Sequence, residues 1–226
     1  DLGGFAALIA PLVTFLPGAL LTTAVIELST GQMISGAGRL AAGVMQLVLL
    51  ALGIVAAAQL VGVPATSIAD VAAHPLGPAA PWIGVAIFGI GVVVHRCARP
   101  ASLGWILLVL YAAYAGQVVG AHFFGDALSA FIGALVMTPV AMFAATRKSG
   151  PATLVSFLPA FWLLVPGALG LVGVTQYLGD ERLDGVAALV TTGITMIGIA
   201  LGVLLGLGVG GGLESPARRA GTSAAG

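Results

Sequence analysis

Long apolar segments separated by short polar loops dominate the sequence. A membrane-spanning helix needs about 20 mostly apolar residues. Seven segments are of this kind: 2–26, 40–61, 81–94, 103–119, 127–145, 153–178 and 186–209. The third is short, although a start nearer His74 would lengthen it. Because only 7% of the residues are charged, against about 25% in soluble proteins, the sequence predicts an all-α, polytopic membrane helix bundle with about seven transmembrane helices.

The basic residues predict the orientation of these helices. Seven of the eight fall in alternate loops or after the last segment: Arg39, Arg96, Arg99, Arg147, Lys148, Arg218 and Arg219. Alternate loops lie on one side of the membrane, and an excess of Lys and Arg marks the cytoplasmic side. We therefore expect a cytoplasmic C-terminus. The chain starts at Asp1 rather than at Met, so we also expect it to be part of a longer protein. Because seven helices and a cytoplasmic C-terminus put the start of this chain outside, a parent that begins in the cytoplasm would have an odd number of helices upstream.

Several classes of function find no support in the sequence. Eight basic and eight acidic residues cancel, which gives no electrostatic reason to bind nucleic acid. The lone Cys97 has no Cys or His partners at metal-ligand spacing. There is no nucleophile elbow, phosphate-binding loop or zinc-protease motif. We predict a protein that is not an enzyme and has no metal and no cofactor.

Two apolar segments are interrupted by the same four residues, Pro-Gly-Ala-Leu, at Pro17-Gly18 and at Pro166-Gly167. Proline removes a backbone donor and glycine loosens the helix. The copies lie five segments apart, so their helices run in opposite directions, as in an inverted repeat. Paired broken helices of this kind point to a transporter's substrate site. Ordinary proline kinks are the alternative, and a chance match is another.

Polar side chains near the breaks are candidates for substrate contacts. Thr22 and Thr23 follow the first break by about one turn, and alignment of the two breaks pairs Glu27 with Gln176. The threonine hydroxyls either bind substrate or bond to their own helix backbone. Elsewhere, Gln46 and Gln59 are predicted to hydrogen-bond between helices. Four glycines at four-residue spacing predict a packing groove on the last helix: Gly198, Gly202, Gly206 and Gly210.

Glu27 is an ionisable residue at the predicted cytoplasmic end of the first segment. An acid in or near a membrane span is a functional candidate, and we consider it for proton coupling. The alternative is an interfacial acid that pairs with Arg39 or contacts the headgroups. The stretch GQMISGAGR that follows is expected to form a glycine-rich turn carrying Gln32 and Arg39. Arg39 either contacts substrate or only anchors the topology.

The run PGALLTTAVIELSTGQMISGAGRLAAG, residues 17–43, resembles the signature of the threonine/serine exporter family. The matching residues are Pro17-Gly18, Thr22-Thr23, Glu27-Leu28, Gly31, Gly36 and Arg39, although the family more often has Asp at the position of Glu27. The stretch 163–180 is similar to the family's C-terminal repeat, with less specific residues. The resemblance extends over nearly the whole chain, but only the first motif is specific.

The resemblance implies a ten-helix exporter of two inverted five-helix repeats, preceded by a cytosolic domain. Residues 1–62 would then hold the last two helices of the first repeat, 63–212 the second repeat, and 213–226 a cytoplasmic tail. The missing helices and the cytosolic domain would belong to the same chain or to a partner subunit, and a homo-oligomer stays open.

The function implied is efflux of threonine and serine across the cytoplasmic membrane, driven by the proton-motive force. The substrate site would comprise Pro17, Gly18, Thr22, Thr23, Gln32, Arg39, Pro166, Gly167 and Gln176, with Glu27 as the proton-coupling acid. Export of a dicarboxylate such as succinate is one alternative, although Arg39 is the only cation near this site. A membrane scaffold that transports nothing is the other.

Overall fold

The computed structural model describes residues 15–61, 77–178 and 182–223, and these residues form eight α-helices without a strand among them. The helices are α1 (Gly18–Ser29), α2 (Met33–Val61), α3 (Ala80–His95), α4 (Leu103–Phe124), α5 (Asp126–Ala145), α6 (Thr153–Leu164), α7 (Gly167–Leu178) and α8 (Arg182–Ser223). Short 3-10 turns precede α3 and α4.

Five stretches of helix in the described residues are long and apolar enough to cross a membrane. They are Met33–Ala57, Pro100–Phe124, Leu128–Ala145, Thr153–Val174 and Leu183–Gly211. Two apolar helices are shorter, Gly18–Leu28 and Ala80–His95. The predicted helical membrane bundle is therefore confirmed, and the third predicted segment forms a helix that is shorter than these five stretches. Residues 2–14 of the first predicted segment, and the start near His74 considered for the third, lie outside the described residues.

The prediction of a long turn before the second helix was wrong. Helix α2 begins at Met33 rather than at Leu40, so Arg39 lies within the helix and not in a loop. Of the three glycines in this stretch, Gly31 has a positive φ, of 83°, whereas Gly36 and Gly38 are helical. Gly36 is needed for close packing instead, because a Cβ there would lie 2.8 Å from Leu28 Cγ. The last helix is also longer than predicted at both ends.

One compact unit of the chain contains α1, α2, α7 and α8 as far as Ile197. Its buried core takes one or two side chains from each of these helices: Leu21, Leu47, Ala51, Leu171 and Met196. Val25 and Val174, which the alignment of the two Pro-Gly breaks pairs, both pack against this core. The apolar faces that follow the two breaks are thus buried in the same place.

A second compact unit contains α3 to α6 and α8 from Gly198 onward. Glycines permit close helix packing here, as small residues do in membrane proteins. A Cβ on Gly206 would lie 2.7 Å from Thr138 Cβ, and one on Gly202 would lie 2.8 Å from Ala134 Cβ. The packing groove predicted on the last helix is therefore confirmed at these two glycines. Pro159 lies inside α6 and does not end the helix.

Candidate transport site

The two Pro-Gly breaks lie against each other in the first unit. A Cβ on Gly18 would lie 2.9 Å from Gly167 Cα, and it would overlap Val165 Cγ1. A Cβ on Gly167 would lie 3.7 Å from Gly18 Cα and 3.1 Å from Leu16 Cδ2. Contacts this short leave no room for a side chain at Gly18. The breaks that recur in the sequence are therefore in direct contact in the fold.

Each break is the start of a helix. Helix α1 begins at Gly18 after Pro17, and α7 begins at Gly167 after Pro166. Leu21 N–H donates to Pro17 C=O at 2.9 Å, and Gly170 N–H donates to Pro166 C=O at 3.0 Å, so each proline carbonyl closes the first turn of its helix. The predicted interruption of the sixth segment is confirmed, because α6 ends at Leu164.

The contact between the two breaks brings two helix N-termini together. The first turn of a helix has N–H groups without acceptors inside the helix, and the N-terminus carries a partial positive charge of about half an elementary charge. Both features attract anionic groups such as carboxylates. Two N-termini at one place therefore form a suitable environment for the carboxylate of a small solute.

Gln46 stabilises the backbone at the first break. Its Nε2 atom donates a hydrogen bond of 2.9 Å to the carbonyl oxygen of Phe15, just before Pro17. In a membrane, a carbonyl freed at a helix break needs a partner from a neighbouring helix or from water. Gln46 on α2 supplies that partner to a residue that precedes α1, so the bond joins a helix to the break rather than one α-helix to another. The side chain of Gln59 is outside the described residues.

The two threonines after the first break differ in their environments. Thr22 is fully buried, and its hydroxyl donates to Gly18 C=O at 3.0 Å. Of the two roles considered for the threonine hydroxyls, substrate contact and a bond to their own helix backbone, Thr22 therefore has the second in this structure. Thr23 is half-buried. In this conformation Thr22 therefore supports the first turn of α1, and Thr23 is the more accessible hydroxyl of the pair.

A short turn joins α1 to α2 and determines which side chains meet. Gln32 N–H donates to Glu27 C=O at 2.8 Å, and Gly31 N–H donates to Leu28 C=O at 3.2 Å. This pair of bonds, with a glycine in the left-handed conformation, is the Schellman motif that ends many helices. It turns the chain sharply enough for the first turns of α2 to pack beside the last turns of α1.

The turn brings Glu27 into contact with two side chains of α2. Arg39 Nε lies 2.9 Å from Glu27 Oε1 and 3.0 Å from Oε2, and Ser35 Oγ donates to Oε2 at 2.7 Å. Ser35 and Arg39 are four residues apart, so they share one face of α2. The side chain of Glu27 is 14% exposed and that of Arg39 47% exposed. Both oxygens of the carboxylate are thus engaged in a network at the end of α1.

The remaining predicted site residues, Gln32 and Gln176, lie apart from the contact between the breaks. Gln32 is exposed in the turn, and its carbonyl accepts a hydrogen bond of 2.9 Å from Gly36 N–H. Gln176 is half-buried near the end of α7, more than two turns beyond Gly167. Most of the predicted residues therefore form two groups, one at the Pro-Gly breaks and one at the turn that follows Glu27, and Gln176 is not part of the group at the breaks.

Ser35 and Gln46 both contact these groups but were not among the predicted site residues. A polar residue in an apolar helix is the only sequence signal that Gln46 gives, and Ser35 looks like an ordinary turn residue. Among the described residues, no group of three or more His, Cys, Asp or Glu side chains is arranged to hold a metal ion.

Comparison with known proteins adds one finding. Residues 4–61 match a family model described as "Putative threonine/serine exporter". The matched segment contains the Pro17-Gly18 break and the residues of the Glu27 network, whereas the more weakly similar stretch 163–180 lies outside it. No curated protein and no solved structure matches the chain. Over residues 4–61 the chain matches the threonine/serine exporter family, which confirms the resemblance indicated by its first motif.

Proposed function

We propose that this protein is a secondary transporter that exports small hydroxylated amino acids such as threonine and serine. The observation that carries the proposal is the contact between Gly18 and Gly167, which joins the starts of two broken helices. Broken helices whose ends meet are a common way to form a substrate site in transporters. The family match to residues 4–61 supports the substrate class.

The substrate's carboxylate would bind to the N–H groups at the starts of α1 and α7. Thr23, one turn further along α1, would contact the hydroxyl or ammonium group of the substrate. Gly18 and Gly167 are too close in this conformation for a ligand to lie between them. Loading therefore requires the two helix starts to move apart, and their closing again would belong to an alternating-access cycle.

Glu27 would couple this cycle to protons. Its carboxylate is held by Arg39 and Ser35 in the present conformation. A proton on the carboxylate would remove its negative charge and weaken the pair with Arg39. The turn between α1 and α2 could then rearrange, and this motion would reach Gly18 at the other end of the 12-residue helix α1.

Substitution of Glu27 in the protein reconstituted in proteoliposomes tests this coupling. We expect Glu27→Gln to lose the threonine transport that an imposed pH gradient drives, while exchange of labelled for unlabelled threonine continues. Exchange needs the substrate site but no net proton movement. Glu27→Asp is the matched control, because it keeps a carboxylate and should keep gradient-driven transport. Full gradient-driven transport by Glu27→Gln would refute the assignment of Glu27.

The same exchange assay tests the substrate class. We expect labelled threonine to exchange and labelled succinate not to exchange. Succinate exchange without threonine exchange would indicate a dicarboxylate exporter. If neither solute exchanged faster than in protein-free liposomes, the protein would not be a transporter of these solutes, as expected of a scaffold.

The proposal includes a location in the cytoplasmic membrane with a cytoplasmic C-terminus. The basic loops before α4 and before α6 support this orientation. The two-repeat organisation, with a boundary near residue 62 and a tail from residue 213, belongs to the same proposal, as do further helices in the same chain or in a partner subunit. Reporter fusions after Ser149 and after the last residue should both report the cytoplasm.

A further inference from the structure

The second compact unit contains a cavity of about 710 Å³ that the proposed transport function does not use. Its lining includes three basic residues, Arg96, Arg99 and Lys148, from the loops before α4 and before α6. The described residues that line it include no acid. A cavity with this excess of positive charge is suited to an anionic ligand.

The loop that carries the two arginines is held in an unusual conformation. Cys97 has a φ of 48°, in the left-handed region that residues other than glycine rarely adopt. Ala98 N–H donates to Val93 C=O at 3.0 Å, and Cys97 N–H donates to Val94 C=O at 3.2 Å. This Schellman motif ends α3 and fixes the backbone between Arg96 and Arg99. Strained residues of this kind persist where the surrounding structure holds them, often at binding sites.

The loop that carries Lys148 is also tightly constrained. A Cβ on Gly150 would overlap the carbonyl oxygen of Ala144 at the end of α5. Ser149 accepts a hydrogen bond of 3.4 Å from Trp105 Nε1. The guanidinium carbon of Arg96 lies 4.5 Å from the centre of the Trp162 ring, which positions this arginine against α6. Both basic loops are therefore fixed at the cavity by contacts of their own.

The other walls of the cavity are apolar. Leu154 and Leu158 of α6 line it, and they are 65% and 39% exposed. They are four residues apart, so they share one face of a helix that belongs to a membrane-spanning stretch. Such a face contacts lipid hydrocarbon in a membrane. The cavity thus has basic residues beside an apolar wall that is accessible from the bilayer.

We propose that this cavity binds an anionic phospholipid, with its phosphate at Arg99, Lys148 and Arg96 and an acyl chain along Leu154 and Leu158. Basic pockets between membrane helices bind lipid headgroups in this way. A free phosphate or a dicarboxylate would use the basic residues but would gain nothing from the apolar wall. The combination of the two therefore favours a lipid.

Tryptophan quenching tests the proposal directly. The chain has three tryptophans, and a Trp82→Phe/Trp105→Phe protein leaves Trp162 as the only reporter. A Trp82→Phe protein, which keeps the hydrogen bond from Trp105 to Ser149, is measured beside it as a control. In bilayers of phosphatidylcholine with increasing phosphatidylglycerol brominated near the headgroup, we expect quenching to saturate at a low phosphatidylglycerol fraction. The same brominated chains on phosphatidylcholine should quench only in proportion to their amount. Equal quenching by both lipids would overturn the proposal.

Substitution of the basic residues that line the cavity is the second test of the proposal. Each basic side chain near an anionic lipid surface contributes about a fivefold factor to binding. Arg99→Gln/Lys148→Gln should therefore weaken the preference for phosphatidylglycerol by about 25-fold, whereas the control Arg218→Gln/Arg219→Gln removes the same charge elsewhere and should not weaken it. Arg96 is kept because it packs on Trp162. If the control variant lost as much of its preference for phosphatidylglycerol as Arg99→Gln/Lys148→Gln, the proposal would be overturned.

Competition with soluble anions tests whether the cavity binds a lipid, a free phosphate or a dicarboxylate. Millimolar inorganic phosphate or succinate should not displace the brominated phosphatidylglycerol. Displacement by phosphate would assign the cavity to a free phosphate, and displacement by succinate to a dicarboxylate; either result would overturn the lipid proposal. If the double variant failed to fold, the quenching of Trp162 in the protein that keeps its basic residues would still decide the question.

Discussion

Gly18→Ala is the most informative single substitution at the contact between the Pro-Gly breaks. It adds one methyl group and no charge. That methyl carbon would lie 2.9 Å from Gly167 Cα and 3.1 Å from Gly167 N, and it would overlap Val165 Cγ1. Two of these three neighbours are backbone atoms, which cannot rotate away as a side chain can. The starts of α1 and α7 must therefore move apart.

These distances determine how much the substitution lowers the free energy of unfolding. Extra methyl groups in a well-packed interior cost about 1–3 kcal/mol. The methyl group in Gly167→Ala would lie 3.1 Å from Leu16 Cδ2, 3.2 Å from Leu16 Cβ and 3.7 Å from Gly18 Cα, so its neighbours need to move by less than those of Gly18→Ala. Gly53→Ala in α2 would meet nothing within 4 Å. There alanine should stabilise the helix by about 0.5–1 kcal/mol.

We expect stability to increase in the order Gly18→Ala, Gly167→Ala, wild type, Gly53→Ala. Thermal unfolding in detergent measures the order, and threonine exchange in proteoliposomes measures function. Gly18→Ala should lose most of its exchange, because the N–H groups that would bind the carboxylate are displaced. A Gly18→Ala protein with unchanged stability and full exchange would refute both the packing and its role in transport.

Two further substitutions test the packing around the site and in the second unit. Gln46→Leu should destabilise the protein by about 0.5–1.5 kcal/mol, the net contribution of a typical hydrogen bond, because it removes the exposed bond to the carbonyl of Phe15; unchanged thermal unfolding would show that this bond contributes nothing. Gly206→Ala should destabilise by about 1–3 kcal/mol, because its methyl group would lie 2.7 Å from Thr138 Cβ, whereas Gly208→Ala meets nothing within 4 Å. Equal melting temperatures for the two glycine variants would contradict the assigned contact between α8 and α5.

The sequence predicted the helices well because length and apolar character determine a membrane span almost alone. All seven predicted segments contain helix, and the break at Pro166-Gly167 lies where the proline predicts it. The predicted start of α2 was wrong because three glycines within nine residues are typical of a loop. A single glycine, Gly31, was enough to turn the chain, and the energetic reason for Gly36 is a neighbouring helix that the sequence does not show.

The sequence indicated the Pro-Gly breaks and Glu27 as candidates, but it did not indicate Ser35 or Gln46 or which residues lie together. The repeated Pro-Gly pair indicated both halves of the contact, yet nothing in the sequence fixes a distance between Gly18 and Gly167. For Glu27 the sequence left open a pair with Arg39 and a role in proton coupling. The structure has the pair, with Ser35 as an additional donor. The two roles are compatible, because a coupling acid needs a partner that it can release.

The most direct test of the account is whether substrate protects the contact region between α1 and α7. In a protein with Cys97→Ser, which removes the only cysteine, Thr23→Cys and Thr30→Cys would each be labelled with N-ethylmaleimide. Thr23 is half-buried near the break, and Thr30 is exposed at the far end of α1. We predict that threonine slows labelling at position 23 severalfold and leaves position 30 unchanged. Labelling at position 23 that is the same with and without threonine, in protein that still exchanges threonine, would contradict the account.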